Sequence, residues 1–269
     1  MTSVEFDANT TRWNASNALL TAEASQLAYE NPREIENTVT NHWGLSKFHY
    51  LEREDSQCFI AGNDDLLLVA FRGTQPDDLR DWMTDVDLKP VQFPGGGQVH
   101  EGFFRALNLV WRDIVAIIAA EQTEAQSLWI TGHSLGAALA TLATARFRLE
   151  QDKPVNGLYT FGSPRVGDRE FAMRFNADFR NRAFRYVNNN DVVTRVPMRQ
   201  FDYSHVGTFL YYDTTGALQS DLHWWNRFLE TVKGEIGDFL KPGFDFIKDH
   251  FISNYVENAR KNLTAKPLL

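Results

Sequence analysis

The stretch that most constrains this chain is residues 127–149, where an apolar run changes period around a glycine-flanked serine. Leu128, Trp129, Ile130 and Thr131 read as a short buried strand. Leu135 to Leu149, rich in Ala and Leu, reads as a helix. Between them lies Gly132-His133-Ser134-Leu135-Gly136. A G-x-S-x-G pentapeptide between strand and helix has a mechanical meaning. The turn is so tight that its central residue takes a strained backbone conformation. Glycines two before and two after it let strand and helix pass closely, and Ala137 and Ala138 add no bulk. The Ser134 hydroxyl is thereby lifted above the sheet edge, at the positive end of a helix. The plain alternative is an ordinary strand–helix turn carrying a solvated serine.

Composition narrows the setting. With 269 residues, 43% of them hydrophobic, the chain can bury one large core, so a single α/β domain over 1–269 is expected. A net charge of −8 argues against a nucleic-acid partner and against steering to anionic membrane surfaces. The one cysteine, Cys58, excludes an internal disulfide and reads as a small buried apolar residue. The stretch Met1 to Asp7 has no basic segment and no apolar run of the signal-peptide kind. A cytoplasmic location is therefore expected, or a secreted one if a leader has been removed. No 18-residue apolar stretch exists to form a transmembrane segment. The sequence has no phosphate-binding glycine loop, no CxxC pair and no histidine spacing of the metal-ligand kind, so neither a metal nor a cofactor is expected. Oligomeric state is not legible.

Along the chain, residues 11–29 read as an amphipathic helix ended at Asn31-Pro32, and 33–43 as a second short helix. Lys47–Leu51 and Gln57–Ala61 read as strands. Gly62 to Asp65 is turn chemistry leading into Leu66–Phe71, a continuously apolar run suited to a strand covered on both faces. In Asp77–Asp87 the residues Leu79, Trp82, Met83 and Val86 stand at helical spacing, opposite five aspartates. Pro94 to Gly97 reads as a loose stretch. His100–Glu121 reads as a long helix. Strands at Val155–Phe161, Ala183–Val187 and Val206–Tyr212 follow, with a short helix at Asp168–Asn176. Helices are expected over Leu222–Leu240 and Phe244–Lys261. Strands alternating with helices imply a mostly parallel central sheet flanked by helices.

A serine nucleophile needs a base, and the base an orienting carboxylate. In an α/β arrangement with this elbow the chain order is Ser, acid, His. Asp191 stands just past the strand Ala183–Val187, with Asp202 and Asp213 as weaker rivals. Its plain alternative is an Asx-turn residue in an Asn-rich loop. Three histidines follow it, His205, His223 and His250, and periodicity does not choose among them. An oxyanion needs two backbone N–H donors. One is Leu135, after the nucleophile; Thr74, at the exit of the apolar strand behind Gly73, fits the second.

These residues resemble the fungal-type (class 3) triacylglycerol lipases of the α/β-hydrolase fold. The similarity is carried by Val69–Thr74, His100–Phe103, Ile130–Gly136, Thr160–Gly167 and Asn190–Pro197, in order over some 130 residues. It extends further if Asp249-His250…Tyr255 matches the family's closing element. The resemblance implies Ser134 as nucleophile, Asp191 as acid and Thr74 and Leu135 as oxyanion donors. It implies a short helical lid at about 76–88, whose Leu79, Trp82, Met83 and Val86 face substrate. It also implies a non-catalytic His205, which favours His250 as base, with His223 the runner-up. Lacking disulfides and a leader, the chain looks more like bacterial members. The expected activity is a lipase or carboxylic-ester hydrolase, acting through a Ser acyl-enzyme on a lipid or ester substrate in transient contact with an oil–water interface. Alternatives are a phospholipase A1, a feruloyl-type esterase or a non-catalytic lipase-like binding module.

Overall fold

The computed structural model describes residues 5–75, 78, 79, 89–197, 201–219 and 248–265. Helix α1 (Ala15–Leu27) starts at Asn14, whose side chain accepts from the N–H groups of Ser16 and Asn17. Helix α2 (Pro32–Asn37) runs into a wider turn at Thr38–His42. Strands β1 (Lys47–Arg53), β2 (Ser56–Gly62) and β3 (Leu66–Phe71) form an antiparallel meander. Asn63 makes the expected turn before β3: its Oδ1 accepts from the N–H groups of Asp65 and Leu66 at 2.9 and 3.1 Å.

The next elements are short: β4 (Pro90–Gln92) and β5 (Gln98–His100). Helix α3 (Glu101–Glu121), strand β6 (Ser127–His133), helix α4 (Leu135–Gln151) and strand β7 (Gly157–Phe161) follow. Then come β8 (Gly167–Asp168), helix α5 (Arg169–Phe179) and β9 (Ala183–Asn188). Last are β10 (Tyr203–Ser204), β11 (Thr208–Tyr212), β12 (Leu218–Gln219) and helix α6 (Ile252–Lys261). The main sheet has eight strands in the order β1-β2-β3-β6-β7-β9-β11-β12. From β3 to β11 every pairing is parallel.

The apolar run in β3 is buried at all six positions, because alternate residues feed two cores. Leu67, Val69 and Phe71 join one core with Phe103, Ile114, Leu142 and Phe147 from α3 and α4. Leu66, Leu68 and Ala70 join the other, with Ala22 of α1 and Tyr255 of α6. Helix α4 is buried from Gly136 to Phe147, which suits its small, Ala-rich composition.

Three expectations need correction. Pro94–Gly97 is not a loose stretch but the turn of the β4–β5 hairpin, closed by Phe93 and Gly97 at 3.0 Å, with Gly96 and Gly97 at φ 95° and 77°. That hairpin belongs to a second, four-stranded sheet ordered β10-β8-β5-β4, whose strands of two or three residues are too short to show alternation. Helix α1 is not simply amphipathic: Asn17, Thr21 and Ser25 are buried, Asn17 bonds the main chain of Asp7, and the Ser25 and Thr131 hydroxyls bond at 2.9 Å. The helix expected from Phe244 is helical over Ile252–Lys261, preceded by a turn in which Phe251 N–H donates to the Lys248 carbonyl. The helix expected over Leu222–Leu240 lies outside the described residues.

Candidate active site

Ser134 joins β6 to α4 with φ 57° and ψ −128°, a strained conformation for a residue with a Cβ. Its N–H donates to the Phe161 carbonyl at 3.0 Å. The flanking glycines make close approach possible. A Cβ on Gly132 would stand 2.5 Å from the Gly136 carbonyl carbon, and one on Gly136 would stand 2.8 Å from that of Arg72. The N-terminus of α4, which begins at Leu135, is thus pressed against the exit of β3. Thr74 is half-buried at that exit. Gly73, just before it, packs so tightly on the elbow that an added Cβ would come 3.1 Å from Ser134 Cβ.

Asp191 directly follows the two-residue turn after β9, and it is 1% exposed. One carboxylate oxygen, Oδ2, accepts from His250 Nδ1 at 2.8 Å and from the Tyr255 hydroxyl at 2.5 Å. The other accepts from the Val193 N–H at 2.9 Å. Burial pushes the carboxyl up, but the charge and hydrogen bond of His250, with the Tyr255 hydroxyl, outweigh it and hold Asp191 below the ordinary carboxylate range. Gly162, at φ 60°, leaves the room this pair needs: a Cβ there would stand 2.8 Å from both Asp191 Oδ2 and His250 Nδ1.

His250 is 2% exposed and sits in the turn before α6. That turn is clasped to the end of β9. Asn188 Nδ2 donates to the Asp249 carbonyl at 2.8 Å, and Asn189 Nδ2 and Asn190 N–H reach the Asp249 carboxylate at 3.0 and 3.2 Å. With Nδ1 fixed on Asp191, the imidazole presents Nε2. That nitrogen and Ser134 Oγ are both buried without a hydrogen-bond partner. An open imidazole nitrogen and an open hydroxyl are chemically complementary, one an acceptor and the other a donor.

The other candidates fall elsewhere. His205 Nε2 pairs with the Thr194 carbonyl at 2.8 Å, the structural part expected of it. Asp213 closes its own turn through the N–H groups of Thr215 and Ala217. Asp202 is exposed and pairs with Arg169 at 3.2 Å. Leu79 is buried, at 1% exposure. Trp82, Met83, Val86 and His223 lie outside the described residues. Cys58 is buried, as expected. Tyr255 entered the sequence reading only through a resemblance. Its hydroxyl, which also accepts from the Asn188 N–H at 3.0 Å, proves to be a direct partner of the acid.

The geometry agrees with known proteins. A family profile described as lipase (class 3) matches residues 68–201. A triacylglycerol lipase of Arabidopsis thaliana is 31% identical over 249 residues, covering 71% of this chain and 48% of that protein. A secreted mono- and diacylglycerol lipase of Fusarium solani is 35% identical over 159 residues, covering 58% and 46%. The chain spans about half the length of these relatives. The solved structure of a triacylglycerol lipase, described as having a serine-protease triad for its catalytic centre, superposes with a TM-score of 0.61 at 26% identity, covering 73% of this chain and 79% of that one. The fold is that of the α/β-hydrolases, as the resemblance implied. The cytoplasmic expectation has no counterpart here, the Fusarium relative being named as secreted. Among the described residues no helix is long and apolar enough to cross a membrane.

Proposed function

The chain belongs to the class 3 lipase family, and from that premise we propose that it is a carboxylic-ester hydrolase acting on acylglycerols. The observation that carries this reading is the buried His250–Asp191 pair at 2.8 Å, with His250 Nε2 and the elbow hydroxyl of Ser134 both left open. Ser134 Oγ attacks the ester carbonyl as His250 Nε2 takes its proton. The tetrahedral oxyanion is held by the backbone N–H groups of Thr74 and Leu135. The C–O bond to the alcohol then breaks, and the alcohol departs with the proton from His250. Water, deprotonated by the same nitrogen, attacks the acyl-enzyme, and the fatty acid leaves as Ser134 is reprotonated. Asp191 stays ionised throughout and stabilises the imidazolium. We assign all of 1–269 to one domain, with about 76–88 as its lid.

The acylglycerol substrate rests on the relatives named as triacylglycerol and mono- and diacylglycerol lipases. The test is turnover of a glyceride emulsion and of a short soluble ester by the purified chain, with fluorophosphonate labelling. Hydrolysis of both, and label on Ser134, is expected. No turnover and no label would replace this reading with a non-catalytic lipase-like module.

A further inference from the structure

The residue that precedes the nucleophile is buried in a polar contact that the ester-hydrolase mechanism does not use. The His133 ring lies against that of His250, centroids 4.4 Å apart and planes 32° apart. Its Nε2 is 2.7 Å from the His250 main-chain carbonyl, and its Nδ1 is 2.7 Å from the Tyr29 hydroxyl. Burial first, then the charge of His250, hold the His133 imidazole down at about 3, so it is neutral in the working range.

A neutral imidazole carries one N–H. A carbonyl oxygen only accepts, so the proton is on Nε2, and Nδ1 must accept. The Tyr29 hydroxyl therefore donates to Nδ1. Gly73 packs against that hydroxyl so closely that an added Cβ would collide with it. The result is one directed chain: Tyr29 O–H to His133 Nδ1, then His133 Nε2–H to the His250 carbonyl. It begins on a hydroxyl packed against Gly73, passes through the residue before Ser134, and ends on the main chain of His250. Tyr29 stands just beyond the end of α1, an element that supplies nothing else to the chemistry.

We propose that Tyr29 and His133 are positioning residues that hold the main chain of the general base in register with Ser134. This rests on the ester-hydrolase reading above. Each bond in the chain joins two segments that the strands alone do not join: α1 to β6, and β6 to the turn before α6. His133 also offers the His250 imidazolium a neutral ring face to lie on, where a second cation would oppose the proton transfer.

The conservative variants separate positioning from bulk packing. His133→Gln places an amide N–H where Nε2 stands and keeps the bond to the His250 carbonyl. His133→Asn places its polar atoms at Nδ1 and loses that bond, and His133→Leu loses both. Tyr29→Phe keeps the ring and removes only the hydroxyl. The measurement is kcat and KM on a soluble ester with the rate of fluorophosphonate acylation, for variants whose circular dichroism matches wild type. Tyr29→Phe, His133→Asn and His133→Leu should lose about 5- to 100-fold in kcat and in acylation rate with KM within about twofold, the cost of buried groups left unpaired. His133→Gln should recover most of that loss. Folded Tyr29→Phe and His133→Asn with wild-type kcat would overturn the proposal while leaving the hydrolase standing. So would a Gln variant no better than Leu. A wild-type chain with no turnover would overturn the hydrolase reading and this one with it.

Discussion

At Ser134 the backbone and the chemistry make opposed demands. A φ of 57° with ψ −128° costs an L-residue on the order of 1–3 kcal/mol, and the strain is what lifts the hydroxyl to the mouth of the sheet. Ser134→Ala should lower kcat by about 10⁴- to 10⁶-fold in a chain that still folds. Retention of a tenth of wild-type turnover would remove Ser134 from the mechanism. Ser134→Gly should be as inert as Ser134→Ala but more stable by about 1 kcal/mol, because glycine enters this backbone region freely. Denaturant midpoints of the two variants decide it, and equal midpoints would mean that the turn holds no strain. His250→Ala should match Ser134→Ala, since members of a triad fail as a unit. His223→Ala should keep most activity, and the reverse pattern would transfer the base to His223.

Among the elements, legibility followed length. The elbow, the six-residue apolar strand β3 and the 21-residue helix α3 are all where periodicity puts them, because each buries a long face whose pattern has no second solution. The second sheet escaped the sequence because its strands hold only two or three residues and depend on partners far along the chain, such as Val99 opposite Gly167. At the site, Ser134 and Asp191 were candidates from chain order, since Ser134 directly follows β6 and Asp191 follows the turn after β9. The placement of His250 beside Asp191 was not, because it is made by Asn188, Asn189 and Asn190 clasping Asp249 across some 60 residues. Helix-forming spacing also marks Leu79, Trp82, Met83 and Val86 as one apolar stripe beside Thr74. If that stripe closes over the acyl pocket in water, it buries side chains at roughly 1.5–3 kcal/mol each, and an oil surface offers a competing place for them. Trp82→Ser should then impair hydrolysis of emulsified long-chain glycerides more than of soluble short esters. An unchanged ratio of the two rates would make the helix fixed structure.

For the whole molecule, the buried neutral His133 ties stability to acidity. In the unfolded chain a histidine takes a proton near 6.5, whereas the folded chain resists it until about 3. Between those values the unfolded state binds more protons, so stability is full above about 6.5 and falls as pH drops, by up to about 1.4 kcal/mol per unit. Asp191, held low, adds a loss only below its unfolded value of about 3.9. Urea midpoints between pH 6.5 and 4.5 therefore report on His133, and His133→Gln should flatten their slope by about one proton. A variant as acid-sensitive as wild type would place the effect elsewhere. The same molecule closes on itself: α6, which follows His250, packs on α1, which begins the described fold. Synthesis gives that closure a timing. The elbow serine leaves the ribosome 116 residues (250 − 134) before the histidine that would activate it. At about 5–20 residues per second, that is an interval of roughly 6 to 23 seconds. On the proposed roles, the growing chain carries Ser134 throughout that interval without the histidine that would take its proton.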